Sequence, residues 1–163
     1  VGSEMCIRDS DMPLFDLKHP EGSYPLSLGR SIHECIGTIA SSNSNRFDVG
    51  DMVLSIPREF GLSEYFVSNE SVTVPLPDKS IHSYEMDHIL MSLPLGTVIW
   101  ACRKLGNLLH QDTVIIGQGP MGLLFSHMLS NLGVSTIIAV DQLDYRLLVS
   151  KQMRATQVIN TKT

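Results

Sequence analysis

The sequence has few cysteines, no basic run and no long apolar segment. Cys6, Cys35 and Cys102 are scattered with no C-x-x-C spacing. That argues against a disulfide framework and a structural zinc cluster, and it suits a reducing cytoplasm. The net charge is −5 with no basic cluster, which speaks against nucleic acid or an anionic membrane surface as a partner. The longest apolar stretch, Ile89 to Cys102, is broken by Pro94 and falls short of the ~20 residues that a membrane span requires. The N-terminus lacks the apolar h-region of a secretory signal. What is left is an expected cytoplasmic protein of globular composition, 43% hydrophobic and 18% charged over 163 residues, enough for one domain or two small ones.

What is present centres on Thr113-Val114-Ile115-Ile116-Gly117-Gln118-Gly119-Pro120-Met121-Gly122. An apolar run ends in three glycines at the G-x-G-x-x-G spacing of a dinucleotide-binding turn. Gly117 permits a sharp turn, Gly119 permits close approach of a pyrophosphate, and Gly122 permits close packing of helix on strand. The phosphates are expected on backbone N–H groups at the helix N-terminus, around Pro120 and Met121. Met121, Leu124, Phe125, Met128, Leu129 and Leu132 follow at helical spacing, and Gly133 is placed as the C-terminal cap. Thr136 to Val140 reads as a buried parallel strand. It ends at Asp141, where an acid bonds an adenosine ribose hydroxyl.

Along the chain, Val1–Ser10 has no periodicity and reads as foreign to the fold, like translated adapter sequence. Asp11 to Leu28 is rich in proline, glycine and charge and reads as loop. Ser31–Ala40, Met52–Ile56, Gly61–Val67 and Val72–Pro77 read as short strands with turn signals between them, as in a small β-barrel or sandwich. A helix is expected from about Pro94 to Gly106 on the face Leu95, Val98, Ile99, Cys102 and Leu105. Asp144–Arg154 reads as a helix and Gln157–Asn160 as a strand. The βαβαβ alternation predicts a parallel sheet. The expected division is 1–10 outside the fold, 11–80 a partial β domain, and 81–163 a partial nucleotide-binding domain.

These residues resemble the medium-chain dehydrogenase/reductase family, the zinc-type alcohol dehydrogenases. His33-Glu34-x-x-Gly37, Phe47-x-x-Gly50-Asp51-x-Val53, Gly61-x-x-Glu64-Tyr65, Thr97, Gly117-x-Gly119-Pro120-x-Gly122, Asp141 and Arg146-Leu147 match its motifs in order. The resemblance implies an α/β fold: an incomplete GroES-like β-barrel domain followed by the first half of a Rossmann domain, a doubly wound parallel sheet, truncated at both ends. It implies an NAD(P)-dependent oxidoreductase, homo-oligomeric when intact, that moves a hydride between nicotinamide and a small-molecule alcohol or carbonyl. Two readings outside that class are an S-adenosylmethionine-dependent methyltransferase and a non-catalytic nucleotide-binding relative.

The resemblance also implies the site residues. His33 is the candidate zinc ligand and Glu34 a group that tunes the metal. Thr97 takes the place of a threonine near the nicotinamide. Gly117, Gly119, Pro120, Met121, Gly122, Asp141 and Arg146 form the cofactor site. Asp141 favours NAD, because its charge repels a 2′-phosphate, and Arg146 leaves room for NADP. Zinc is in doubt. Catalytic zinc takes three protein ligands, and the N-terminal cysteine of the family is absent. Leu93 stands where some members carry an acid. Ile32 stands where a glycine is usual. The other histidines, among them His82, His88, His110 and His127, have no partner at ligand spacing and read as bland.

Overall fold

The computed structural model describes residues 4–5, 32, 34–58, 60–77 and 85–162. The chain divides into two compact units, Val1–Ser92 and Leu93–Thr163. The helical segment just before Ser92 therefore belongs with the β unit, whereas the sequence reading began the second domain at 81.

The first unit holds a four-stranded antiparallel sheet in chain order: β1 Glu4–Met5, β2 Cys35–Thr38, β3 Met52–Ser55 and β4 Thr73–Pro75. Cys35 pairs with Ser55 and Thr38 with Met52. Glu4 and Met5 pair with Ile36 and Cys35, a backbone contact that asks nothing of the side chains involved. The Gly50-Asp51 signal makes the expected turn. Gly50 has a φ of 101°, and the Asp48 N–H donates to the Asp51 carboxylate at 2.8 Å. Cys35, Ile36, Phe47, Val53 and Leu54 form the buried core. Cys35 is thus a small core residue, and its thiol points at the Gly61 carbonyl at 3.6 Å. A short helix, α1 Met86–Leu90, closes the unit with Ile89 and Leu90 buried.

One expectation fails here. Gly61–Val67 forms no strand. Residues 61–69 run as irregular chain, and a single 3₁₀ turn at Glu70–Val72 leads into β4. The apolar residues of that segment share no buried face: Leu62, Tyr65 and Val67 are all exposed, and only Gly61 is covered. A Cβ on Gly61 would stand 2.0 Å from the Ile32 carbonyl oxygen, so the glycine is held by a close backbone approach. The described strands form an open sheet, in keeping with the incomplete barrel expected.

In the second unit, α2 Ser92–Lys104 buries Pro94, Val98 and Cys102. This stripe at four-residue spacing is narrower than the expected face, since Ile99 and Leu105 are exposed. Cys102 packs in the core, and burial pushes its thiol pKa up. Next come β5 Asp112–Ile116, α3 Pro120–Asn131, β6 Thr136–Asp141, α4 Asp144–Gln152 and β7 Gln157–Asn160. The three strands form a parallel sheet in the order β5-β6-β7, with Val114 beside Ile138 and Ala139 beside Val158.

The core gathers Val98, Cys102, Leu129, Val134, Ile137, Ala139 and Ala155, with Met121, Leu124, Phe125 and Met128 packed against it. The face predicted for α3 is right in direction but only Leu129 is fully buried, and Leu132 is exposed. β6 alternates between buried and half-buried residues, so it is covered mainly on one face. β5 lies at the sheet edge with Val114 and Ile116 exposed. Gly133 caps α3 with a φ of 84°. No helix among the described residues is long and apolar enough to cross a membrane.

Candidate nucleotide-binding site

The site forms where β5 passes into α3. Gly117 has a φ of 90°, a conformation that disfavours any side chain. Its N–H donates to the Val140 carbonyl at 2.7 Å, which continues the β5–β6 ladder into the turn. Gly122 lies under that turn. A Cβ there would stand 1.9 Å from the Gly117 carbonyl oxygen. Gly119 is different: nothing in the protein comes nearer to its Cβ position than the Arg146 guanidinium at 4.0 Å. Its small size leaves open space above the turn and relieves no internal clash. Gly119 is also the N-cap of α3 and has no capping side chain, and Pro120 sits in the first turn. No side chain therefore competes with an anion at the positive end of the helix dipole.

Asp141 closes the other side. It is 9% exposed at the C-terminal end of β6. Its Oδ2 accepts the Gln118 backbone N–H at 2.6 Å. Its Oδ1 accepts from Gln142 N–H at 2.7 Å and Leu143 N–H at 2.9 Å. The Gln118 bond, then those from Leu143 and Gln142 and the nearby Arg146 charge, hold the carboxyl below its usual pKa against the opposing effect of burial. Arg146 Nη1 stands 3.8 Å from Oδ2, and Arg146 Nε donates to the Tyr145 hydroxyl at 3.2 Å. A carboxylate offers about four lone-pair sites. Three accept backbone N–H groups, and the Arg146 guanidinium stands on the Oδ2 side.

The structure thus brings Gly117, Gly119, Gly122, Asp141 and Arg146 together, with Pro120 and Met121 opening the helix behind them. Gln118 is a member that sequence reading missed. It occupies a variable position of the motif, and nothing in the spacing shows that its side chain is fully buried. Thr97 lies on an exposed part of α2, its hydroxyl 3.4 Å from the Leu93 carbonyl. That is a bond back along the helix.

Glu34 is buried, and His33 lies outside the described residues. Among the described residues, one group of three metal-ligating types stands close together, Glu85, Asp87 and His88. All three are exposed. They do not make the enclosed site of three protein ligands and one open position that catalytic zinc takes, and they are not the residues expected to bind it.

No protein-family profile matches the chain. Among curated proteins it is 28% identical over 109 residues to L-threonine 3-dehydrogenase of Chromobacterium violaceum, a match covering 66% of this chain and 30% of that protein. It is 35% identical over 104 residues to D-xylulose reductase of Scheffersomyces stipitis, covering 63% and 27%. The chain thus spans less than a third of the length of the curated relatives it matches. The structure superposes on Escherichia coli quinone oxidoreductase, solved in complex with NADPH, with a TM-score of 0.80 and 19% identity over 97% of this chain and 48% of that one. That likeness supports the fold: part of a GroES-like β domain followed by part of a Rossmann domain. Its sequence relatives and its fold agree: the chain is similar to zinc-type alcohol dehydrogenase-like enzymes of the medium-chain dehydrogenase/reductase family.

Proposed function

We propose that the chain carries the adenosine- and pyrophosphate-binding part of an NAD(P)-dependent oxidoreductase that acts on a small-molecule alcohol or carbonyl. The observation that carries this reading is the joint between the glycine turn and Asp141, made by the 2.6 Å bond from the Gln118 N–H. It sets the open space at Gly119 beside a buried carboxylate at the end of β6, the arrangement in which a dinucleotide-binding turn holds pyrophosphate and ribose. The nicotinamide supplies the hydride chemistry when the cofactor is bound. This chain's own residues do the holding. Gly117, Gly119, Pro120, Met121 and Gly122 receive the pyrophosphate, Asp141 accepts a ribose hydroxyl, and Arg146 flanks the ribose.

Asp141 favours NAD, since a 2′-phosphate beside its charge is repelled. Arg146, 3.8 Å away, offsets part of that repulsion, and NADP binds more weakly without being excluded. Thr97 and Glu34 are proposed for the reacting end, and His33 is the one candidate metal ligand. With His33 outside the described residues and no enclosed ligand set among the rest, the reading rests on the nucleotide site and not on zinc. The relatives are oxidoreductases, and nothing in them supports the methyltransferase reading.

The test is calorimetric titration of the protein with NAD, NADP and S-adenosylmethionine. The expected result is binding of NAD, weaker binding of NADP, and none of S-adenosylmethionine. Preferential binding of S-adenosylmethionine, or binding of none of the three, overturns the proposal. A protein that binds NAD and turns over no alcohol or carbonyl in a broad panel is the non-catalytic relative instead.

A further inference from the structure

Gln118 makes contacts that its position in the motif does not require. Its side chain is fully buried. Nε2 donates to the Ile115 carbonyl at 3.2 Å, and Oε1 faces the Ser126 hydroxyl at 3.2 Å. The amide orientation follows from chemistry: the Ile115 carbonyl can only accept, so the nitrogen must face it and the oxygen must face Ser126. The Ser126 hydroxyl also lies 3.1 Å from the Gly122 carbonyl, so its one proton serves two acceptors. The side chain thus bridges the last turn-side residues of β5 to the second turn of α3. The same residue's backbone N–H is the group that holds Asp141.

We infer that Gln118 is a positioning residue for the cofactor: its buried amide, anchored on Ile115 and Ser126, fixes the peptide that aims its own N–H at Asp141 and so sets the carboxylate for the ribose. Three geometric facts support this. The anchors lie on both sides of the glycine turn, one on β5 and one on α3. The glycine at 117 has a left-handed φ and no side chain, so it cannot hold the following peptide itself. The Gln118 amide nitrogen lies 3.5 Å from the Cβ position of Gly122, so the amide fills the space that the third glycine leaves between helix and turn. An apolar residue of the same size would fill that space but would make neither the Ile115 nor the Ser126 bond, and the peptide would lose that anchor. The inference rests on the nucleotide-binding reading above.

The test is NAD titration of the wild-type protein and of Gln118→Leu, Ser126→Ala and the double variant, each with its thermal unfolding midpoint. Wild-type binding of NAD is the control for the parent reading, and its failure overturns that reading alone. Given wild-type binding, Gln118→Leu is expected to weaken NAD about tenfold and Ser126→Ala by about threefold, on the usual worth of a single buried hydrogen bond. The double variant is expected to be no worse than Gln118→Leu, because both changes break one chain of contacts. Gln118→Glu, which keeps an acceptor for Ser126, is expected to bind better than Gln118→Leu. Folded variants whose midpoints fall while their NAD affinities match wild type overturn the inference and leave Gln118 a packing residue. Additive losses in the double variant also overturn it. If Gln118→Leu does not fold, Ser126→Ala, which keeps the Ile115 bond, decides the matter by the same comparison.

Discussion

The carbonyl oxygen of Gly117 and the α-carbon of Gly122 are so close that a Cβ on Gly122 would stand 1.9 Å from that oxygen. The obstructing atom belongs to the backbone, to the peptide that the Gln118 N–H ties to Asp141 and the buried Gln118 amide anchors on Ile115. Neither side can give way cheaply. Gly122→Ala is expected to destabilise the second unit by about 3 kcal/mol, in the range of overpacked core substitutions. Gly119→Ala meets nothing in the protein closer than 4.0 Å and is expected to leave stability within about 0.5 kcal/mol. It should still weaken NAD, because the methyl group enters the phosphate space. Chemical denaturation and NAD titration of the two variants check both halves. Equal stability losses would contradict the steric argument.

Asp141 gives a pH signature. Its folded-state carboxyl lies below the usual value, which in an unfolded chain is about 3.9. A depressed carboxylate contributes stability above the unfolded value, and that contribution disappears as pH falls through the folded one. Wild-type stability should therefore fall from about pH 5 downward, with Asp141 one source of the slope. Asp141→Asn keeps one acceptor oxygen but turns an N–H₂ toward backbone donors. It is expected to cost about 2 kcal/mol at pH 7, with the gap to wild type closing as pH falls below about 3.9 and through the folded value. The same variant should narrow the preference for NAD over NADP. Denaturation at several pH values checks the first point, and paired titrations check the second. A stability gap that is constant with pH would remove the carboxylate from the account.

The parts of this site that were legible in the sequence are those where backbone geometry dictates residue type. The three glycines, the acid at the end of β6 and the helical spacing behind the turn each leave a local mark, and the parallel βαβαβ order follows from their alternation. What was not legible depends on burial by distant chain. Gln118 occupies a position open to any residue, and only the fold shows its amide enclosed between Ile115 and Ser126. The strand expected at Gly61–Val67 failed for the same reason. Its β-forming residues Tyr65, Phe66 and Val67 signal propensity, but β-propensity has force only where a pleated face is covered. On α2, spacing gave the helix but could not choose between Ile99 and Pro94 for the buried side, a choice that packing made.

Ile32 carries backbone strain that the sequence comparison hinted at. It is 2% exposed and has a φ of 67°, the left-handed region that a β-branched residue seldom enters. The resemblance placed a glycine at this position, and the backbone conformation supplies the reason. Ile32→Gly loses the buried side chain but relieves about 1–2 kcal/mol of strain. Ile36 is equally buried at 2% and sits in β2, where glycine brings no such relief. Ile32→Gly should therefore destabilise the protein less than Ile36→Gly by about that difference. Denaturation midpoints of the two variants measure it. Equal losses would mean that Ile32 is not strained.

Thr97 separates folding from function most cleanly. It is exposed on α2, and its hydroxyl makes one long bond, 3.4 Å to the Leu93 carbonyl one turn back. Such a bond contributes little, and alanine is the better helix former by about 0.5 kcal/mol. Thr97→Ala is thus expected to leave stability unchanged or slightly raised. If the hydroxyl acts at the reacting end as proposed, the variant enzyme, assayed with its alcohol or carbonyl substrate, should lose about tenfold or more in kcat with NAD affinity unchanged. Thr97→Ser keeps the hydroxyl and should retain most of the rate. Steady-state kinetics beside NAD titration and thermal unfolding reads all three quantities on one preparation. A Thr97→Ala enzyme with wild-type kcat would return Thr97 to the role of a solvent-facing helix residue.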